Sequence, residues 1–319
     1  MRYSPLGGTG LNCSQIGLGT WAFNGSVYGQ VEPGQGEETI RAALAAGINF
    51  FDTAPLYGDK NRDGIAEEVL GRGLGPQRQQ VFISTKFGRK PTEGNRPNFN
   101  GAYARQSVEE SLKRLGTDYI DLLFFHSPFG PEEIDADIWA VLDGLKLAGK
   151  VRFVGHSISK FADTEGLARA WADEGLIDAI QVVYSLLNRE AAGLIEDLGG
   201  QGVGVVARES LANGFLSGGV RRDSEFPPGS LNARYSRAEI EARVGQVERL
   251  GFLRRGEVDS LPQAAMRWVL DNPGVGLVLT GAKSPAEVED CARAAAAKGY
   301  SAAELARADQ VHQVDFPAA

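Results

Sequence analysis

Short apolar segments alternate eight times along the chain with longer segments of helical spacing, and this alternation constrains the fold more than any other feature. Each short segment is rich in β-branched and aromatic residues, which is typical of buried strands. Such alternation predicts βα units around a parallel sheet. The predicted strands are Ser14–Leu18, Asn49–Asp52, Val81–Thr85, Ile120–Phe125, Arg152–Gly155, Ala179–Val183, Val203–Ala207 and Gly276–Leu279.

The longer segments carry apolar residues at three- and four-residue intervals, as at Val108, Leu112 and Leu115. A glycine such as Gly116 often follows the last of them, which is typical of a helix C-terminus. The predicted helices are Gly36–Ala46, Gly64–Leu74, Ala104–Leu115, Ala136–Ala148, Thr164–Glu174, Ala191–Leu198, Arg237–Arg254 and Pro285–Ala297.

Eight units without a linker favour a closed (β/α)8 TIM barrel, an α/β fold that runs to this length as one unit. We therefore expect residues 1–319 to form a single domain. An open doubly wound sheet would carry a glycine fingerprint after its first strand, and GLGTW at Gly17–Trp21 lacks that spacing. Gly88–Gly101 and Leu216–Tyr235 are predicted long loops at the C-terminal face, where barrels bind ligands.

Composition and charge argue against several classes of protein. No apolar run approaches the roughly 20 residues needed to cross a bilayer, and the first residues lack the build of a secretory signal, so we expect a cytoplasmic protein without membrane contact. The net charge is −8 without a dense Lys/Arg run, which argues against nucleic acid as a partner. Cys13 and Cys291 have no metal-type spacing, and we expect them to be packed thiols.

Four side chains of catalytic type follow three successive predicted strands. The second strand ends at Asp52, with Tyr57 five residues later, the third delivers Lys86 and the fourth delivers His126. Singly, each has an ordinary explanation as a turn cap, a packed aromatic, a solvated amine or a satisfied imidazole. Because strand ends meet on one rim of a barrel, their joint occurrence predicts an active site.

The four groups suit the polarisation of a carbonyl. A buried Lys86 beside Tyr57 would favour phenolate and lower the tyrosine pKa from about 10 toward working pH. Asp52 would keep the ammonium charged and in place, and His126 could donate a hydrogen bond to the carbonyl oxygen. None of the four supplies electrons, so a hydride donor must come from a cofactor.

The ordered motifs GLGTW, DTAPLYG, STKFG and DLLFFHSP resemble those of the aldo-keto reductase superfamily, over nearly the whole chain. That family combines a (β/α)8 barrel, a nicotinamide cofactor and an Asp/Tyr/Lys/His tetrad, which is matched by Asp52, Tyr57, Lys86 and His126. The resemblance implies that Tyr57 is the general acid of carbonyl reduction, that Lys86 and Asp52 tune it, and that His126 orients the substrate. It implies no metal.

The resemblance also implies how the cofactor is held. Ser157 and Gln181 match the residues that bind the carboxamide, whereas Ile158 replaces the family's Asn. Arg208 stands where an aromatic residue stacks on the nicotinamide; it could stack likewise, or pair with Glu209 or a phosphate. The predicted cofactor residues are Thr20, Trp21, Asp52, Ser157, Gln181, Arg208, Ser210, Leu211, Asn213, Gly214, Gly281, Ala282, Lys283, Ser284, Glu287, Asp290 and Cys291.

The eighth strand leads into residues that bear on the choice of cofactor. Lys283 and Ser284 match the family's grip on the adenosine 2′-phosphate, and a helix starting near Pro285 adds positive potential. These features favour NADP. Glu287 and Cys291 depart from the family pattern, which leaves NAD open.

Aromatic residues are expected at the pocket mouth, where they suit flat or apolar carbonyl compounds as well as sugar rings. We therefore expect a small-molecule carbonyl or sugar substrate. The predicted substrate-binding residues are Trp21, Tyr57, Phe87, His126 and Phe129, with Leu56 beside them.

Two further functions stay open. Some barrels of this superfamily attach to potassium channels as nucleotide-binding regulatory subunits, and an intact tetrad does not exclude that role. A metal-dependent barrel hydrolase would use Asp52, His126 and His156, but strand alternation turns His156 away from the face that Ser157 occupies. The oligomeric state does not follow from the sequence.

Overall fold

Eight parallel strands close into a barrel in the computed structural model, which describes residues 1–24, 32, 34–227 and 229–315. Neighbours around the barrel follow the chain order, and the last strand closes it by pairing with the first. The predicted TIM barrel is confirmed. Its strands are β3 Ile16–Gly19, β4 Phe50–Asp52, β5 Phe82–Phe87, β6 Ile120–His126, β7 Val151–Ser157, β8 Ala179–Val183, β9 Gly204–Arg208 and β10 Leu277–Thr280.

Helices surround the barrel, and most of them bury apolar side chains in the core outside the strands. In the described part of the chain they are α1 Gln35–Ala45, α2 Ile65–Leu74, α3 Gly101–Leu115, α4 Ile138–Leu147, α5 Phe161–Asp173, α6 Ala192–Gly200, α7 Arg237–Arg249, α8 Leu261–Leu270, α9 Pro285–Arg293 and α10 Ala302–Asp315. None of the described helices is long and apolar enough to span a bilayer.

A short hairpin precedes the barrel and plugs its N-terminal end. The strands β1 Tyr3–Pro5 and β2 Asn12–Ser14 pair antiparallel. The turn between them places Leu6 and Leu11 in one buried cluster with inward-facing barrel residues such as Phe124. The opposite, C-terminal end therefore remains as the place for a site.

The sequence predicts one helix between β9 and β10, whereas the structure has two among its described residues, and the second of them, α8, packs against β10. The predicted helix Arg237–Arg254 ends at Arg249 as α7, which buries only a few side chains. In contrast, α8 is buried along almost its whole length and contacts both α9 and β10. The sequence pattern missed α8 although its start is signalled by Ser260, the N-cap, and by Pro262 in the first turn.

The two predicted long loops lie at the C-terminal rim. Residues 88–100 connect β5 to α3, and residues 209–236 connect β9 to α7 through short 3-10 turns, with residue 228 outside the described residues. Both cysteines are buried free thiols, as predicted.

Candidate active site

The ammonium group of Lys86 lies between the other members of the predicted tetrad. Its Nζ donates to Oδ2 of Asp52 at 2.7 Å and to the carbonyl oxygen of Thr53 at 2.9 Å. Its third bond goes to the phenol oxygen of Tyr57, at 3.0 Å. Lys86 is 1% exposed, so the charge is withdrawn from water and depends on these partners.

The carboxylate of Asp52 is held on its other oxygen as well. Ser84 Oγ and Gln181 Nε2 donate to Oδ1 at 2.7 and 2.8 Å. With Lys86 on Oδ2, the carboxylate has three side-chain donors and one fixed orientation. The charge of Asp52 is therefore stabilised by hydrogen bonds as well as by the ion pair.

Alternation along β5 decides which of its side chains reach this site. Ser84 and Lys86 face the barrel interior, whereas Phe87 points outward and packs against Phe99 and Phe125, with ring centroids 5.8 and 4.7 Å away. The prediction that Phe87 lines the substrate pocket is therefore wrong. Successive side chains of a strand face opposite sides of the sheet. Phe87 directly follows the inward-facing Lys86, so it lies in the outer core.

Aromatic rings surround the phenol. The chain turns after β4 as the amide of Tyr57 donates to the carbonyl of Ala54 at 3.0 Å. The Tyr57 ring stacks on Trp21 at 6.0 Å between centroids and meets the edge of His126 at 6.1 Å. Leu56 is half-buried beside it. Trp21, Tyr57 and His126 thus form a continuous surface at the rim.

Burial and charge act in opposite directions on the tetrad's protonation. Burial alone would lower the pKa of Lys86, but Asp52 and Tyr57 together outweigh it and raise that pKa. Burial raises the pKa of Tyr57, and the positive charge of Lys86 only partly opposes the rise. The expected lowering of the tyrosine pKa is therefore wrong in net direction, because desolvation of the phenolate exceeds its attraction to Lys86.

The imidazole of His126 is kept neutral. Burial and then the positive charges of Lys86, Arg208 and Arg89 hold its pKa well below the ordinary value. A neutral imidazole keeps one N–H donor and one acceptor. His126 can therefore donate to a carbonyl oxygen without carrying a charge.

His156 lies on the other side of its strand. It is fully buried, its ring packs 5.0 Å from that of Trp171, and burial lowers its pKa to about 3. It therefore cannot share a metal with Asp52 and His126, as the hydrolase hypothesis requires. Within the described ranges, no three His, Cys, Asp or Glu side chains come together as a metal-binding group.

Phe129 is half-buried three residues after His126. The guanidinium of Arg89 lies 4.5 Å from its ring centroid and the ammonium of Lys160 lies 4.3 Å from it. Such cation–π contacts fix the orientation of the ring. The role of Phe129 toward a substrate stays a prediction.

Amide and hydroxyl groups from β7 and β8 lie beside Asp52. Ser157 Oγ donates to Gln181 Oε1 at 3.3 Å, so the two predicted carboxamide-binding residues lie together. Thr20 is fully buried, and both its amide and its hydroxyl donate to the main-chain oxygen of Asp52, at 2.9 and 3.1 Å. Thr20 thus connects β3 to the strand end that carries the tetrad's carboxylate.

Arg208 ends β9 and is held in place by its neighbours. Its Nη2 donates to the carbonyl of Ile158 at 2.8 Å and to Ser159 Oγ at 3.1 Å, and its Nη1 pairs with Glu209. The pairing with Glu209 is thus present, as one of the alternatives predicts. Stacking on a nicotinamide stays a prediction.

The loop after Arg208 turns sharply through left-handed conformations. Ser210 is buried and its Oγ donates to the carbonyl of Leu279 in β10 at 3.0 Å. Leu211 follows, and then Asn213 and Gly214 have φ of 56° and 92°. The main-chain oxygen of Asn213 accepts from Asn232 Nδ2 at 2.8 Å, so the two halves of the long loop after β9 are joined.

The N-terminus of α9 follows β10 through Gly281 and Ala282. Ser284 is the N-cap, and its Oγ accepts from the amide of Glu287 at 3.4 Å. In return, a carboxylate oxygen of Glu287 accepts from the amide of Lys283 at 2.9 Å. The carboxylate of Glu287, a residue that departs from the family pattern, therefore lies at the N-terminus of α9.

Two predicted cofactor residues on α9 have structural partners. The carboxylate of Asp290 accepts from Ser260 Oγ at 2.6 Å and from Gln263 Nε2 at 2.8 Å, which joins α9 to α8. Cys291 is buried on the inner face of α9 and its Sγ accepts from Thr280 at 3.3 Å. Cys291 is therefore packed in the core, and its contact with a cofactor stays a prediction.

Residues 15–313 match the family model described as the Aldo/keto reductase family. The chain belongs to this family. It is 34% identical to the aldo-keto reductase YhdN of Bacillus subtilis, over 91% of this chain and 87% of that protein. The identity to the NADH-specific methylglyoxal reductase of Escherichia coli is 31%, over 91% and 92% of the two chains.

Among solved structures of aldo-keto reductases, a glycerol dehydrogenase from Gluconobacter oxydans superposes with a TM-score of 0.82 at 27% identity, over 100% of this chain and 97% of that one. The resemblance read from the motifs is thus confirmed. As an aldo-keto reductase, the protein is an oxidoreductase that acts on carbonyl or alcohol substrates with a nicotinamide cofactor.

The donor groups of this aldo-keto reductase fit such a cofactor. Ser157 and Gln181 pair a hydroxyl with an amide, which are complementary to a carboxamide. Lys283, the hydroxyl of Ser284 and the N-terminus of α9 together suit an anionic group.

Sequence reasoning missed two residues of the site. Ser84 binds Asp52 directly, and the strand period, counted back two residues from Lys86, could have found it. Arg89 contacts the chain beside His126, and no local signal in the sequence points to that contact.

Proposed function

We propose that this aldo-keto reductase reduces an aldehyde or ketone to an alcohol, or oxidises a sugar or alcohol in reverse, with NADP(H) as the preferred cofactor. The observation that carries the proposal is the chain of contacts from Asp52 through Lys86 to the oxygen of Tyr57. A half-buried phenol backed by a fixed ammonium is suited to give up a proton to an oxygen that gains charge.

A bound nicotinamide supplies or accepts the hydride in this chemistry. Tyr57 would donate its phenolic proton to the carbonyl oxygen as that oxygen gains charge. Lys86 stabilises the phenolate that remains, and Asp52 holds Lys86 in place. His126, neutral at working pH, donates a hydrogen bond that orients the carbonyl oxygen.

We assign the remaining polar groups to cofactor binding. Ser157 and Gln181 would hold the carboxamide, the loop from Ser210 to Gly214 would bind the pyrophosphate, and Arg208 would contact the nicotinamide. Lys283 and Ser284 bind the 2′-phosphate, for which Glu287 competes because its carboxylate caps the same helix end. NADP(H) is therefore preferred by a modest factor, and NAD(H) is also bound.

The substrate is a small carbonyl compound or sugar that enters over Trp21 and Phe129. Because one relative is a methylglyoxal reductase and a structural neighbour is a glycerol dehydrogenase, methylglyoxal and glycerol belong in the substrate panel together with a reactive aldehyde such as 4-nitrobenzaldehyde.

Purified protein tests the proposal. We expect it to quench NADPH fluorescence on binding and to oxidise NADPH when 4-nitrobenzaldehyde is added. Cofactor binding without turnover of any carbonyl in the panel would favour the regulatory-subunit hypothesis instead. Metal-dependent hydrolysis without nucleotide binding would contradict both.

A further inference from the structure

The main chain makes a tight turn at His126. The amide of Ser127 donates to the carbonyl of Phe125 at 3.0 Å, which closes a γ-turn with His126 at its centre. Ser127 then has a φ of 56°, a left-handed conformation that is uncommon for a residue other than glycine. A backbone of this kind persists only where the surroundings enforce it.

The ring of His126 receives little support from hydrogen bonds of its own. Its Nδ1 is buried and has no hydrogen-bond partner among the residues that the structure describes. Most histidines of fixed function are oriented by a bond to the second nitrogen. The direction of this imidazole therefore depends on the backbone that carries it.

The guanidinium of Arg89 holds that backbone. Its Nε donates to the carbonyl of His126 at 3.0 Å and its Nη2 donates to the carbonyl of Ser127 at 3.0 Å. Its Nη1 donates to the carbonyl of Asn95 at 2.9 Å. Two neighbouring carbonyls of the turn are thus fixed by one rigid planar group.

Arg89 is itself fixed in place. It is 9% exposed, lies over the Phe129 ring and has a carboxylate oxygen of Glu133 at 3.7 Å. The preceding Gly88 has a φ of 104°, and a Cβ there would lie 1.9 Å from the ring of Phe99. Only glycine fits this bend, which turns the chain so that Arg89 reaches the end of β6.

Ser127 is also held from a second direction. Ser159 Oγ donates to Ser127 Oγ at 2.8 Å, and Arg208 donates to the same Ser159 hydroxyl. The turn after His126 therefore lies between two fixed arginines, but only Arg89 contacts the carbonyl of His126 itself.

We infer that Arg89 is a positioning residue for carbonyl reduction, which acts by holding the turn at His126 so that the imidazole faces the substrate oxygen. The inference rests on the proposed function for its kinetic consequence. Its structural consequence, a displaced His126 ring when Arg89 is removed, does not.

The chain offers a matched control in Arg78, at the opposite end of the barrel. Arg78 is 7% exposed, donates to the carbonyls of Val81 and Tyr119 at 3.0 and 2.8 Å, and pairs with Asp121 at 2.9 Å. Loss of either arginine removes two or more hydrogen bonds to main-chain carbonyls. Only Arg89 binds next to the proposed active site.

The test compares Arg89→Met with Arg78→Met. We expect both to lower the melting temperature, but only Arg89→Met to lower kcat/KM for the aldehyde, by about 10²-fold, as is usual for a small misplacement of a reacting group. NADPH affinity should stay within about twofold in both. Arg89→Lys, which keeps the charge but loses the planar fork, should recover part of the loss. Equal kinetic losses in the two Met variants would overturn the inference.

Histidine NMR supplies the second readout, since the chain has only 3 histidines. At one fixed pH, the ring cross-peak of His126 should move in Arg89→Met and stay in place in Arg78→Met. An unmoved cross-peak in Arg89→Met would also overturn the inference. If Arg89→Met does not fold, Arg89→Lys is used for both readouts. Absence of turnover in the wild type would contradict the proposed function and leave the NMR comparison as the test of positioning.

Discussion

The ammonium nitrogen of Lys86 lies 3.0 Å from the phenol oxygen of Tyr57, although the two residues are 29 positions apart in the chain. Two neighbouring parallel strands produce this contact, since β4 ends at Asp52 and β5 carries Lys86 inward beside it. The ion pair holds the amine, and the amine in turn fixes the hydroxyl. The C-terminal rim of the barrel therefore carries one phenol whose hydroxyl is held in a fixed position.

Asp52→Asn should cost both stability and activity. The substitution leaves the buried ammonium of Lys86 without its counter-ion, and removal of one partner of a buried pair costs about 3–5 kcal/mol. Urea unfolding should show that loss, and turnover of aldehyde should fall in the same variant. An unfolding free energy equal to that of the wild type would show that Lys86 does not need the carboxylate.

The rate of carbonyl reduction should stay level from pH 6 to pH 9 and fall only above about pH 10. Reduction requires a protonated Tyr57, whose pKa is raised by burial above its ordinary value of about 10. His126 adds no acid limb in this range because its pKa lies well below 6.5 and the ring stays neutral. A pH profile of kcat/KM with NADPH measures this, and a decline centred near pH 7 would contradict it.

Lys283→Ala should weaken NADPH binding by about 10- to 150-fold and leave NADH binding nearly unchanged, because a charged hydrogen bond to the 2′-phosphate is worth roughly 1.5–3 kcal/mol. Glu287→Gln should act in the opposite direction and strengthen NADPH binding, since it removes a carboxylate from the same helix end. Fluorescence titrations with both cofactors test the pair. Unchanged NADPH affinity in Lys283→Ala would show that the 2′-phosphate binds elsewhere.

Phe87→Ala and Phe129→Ala should separate a core ring from a pocket ring. Phe87 is fully buried between Phe99 and Phe125, so its truncation should cost about 3–5 kcal/mol of unfolding free energy and leave the KM for aldehyde unchanged. Phe129→Ala should instead raise KM with a smaller loss of stability. A raised KM for aldehyde with little loss of stability in Phe87→Ala would show that Phe87 lines the pocket.

The strands could be predicted from the sequence because each is a short apolar run between turn residues, and their order alone specified the barrel. The tetrad followed from the carboxyl ends of three successive strands, because these ends meet on one rim of a barrel. Phe87 could not be placed in this way, because its side depends on the period of two along β5. The helix α8 was missed although the sequence carries its start signals, an N-cap serine at Ser260 and a proline at position 262.

Long-range contacts account for what the sequence did not predict. The bonds from Arg89 to the carbonyls at His126 and Ser127 join residues 37 and 38 positions apart. Loss of contact with water raises the pKa of Tyr57, and this could not be predicted from the sequence. The sequence identified only the neighbouring Lys86, which lowers that pKa.

Tyr57→Phe tests the central claim most directly, because it removes one oxygen and keeps the ring that stacks on Trp21. Single-turnover oxidation of NADPH by 4-nitrobenzaldehyde should slow by about 10²–10⁴-fold, the range that a general acid contributes. The variant should still bind NADPH with wild-type affinity, as measured by the quenching of NADPH fluorescence. Reduction at the wild-type rate in this variant would contradict the account, since the proton would then come from another group.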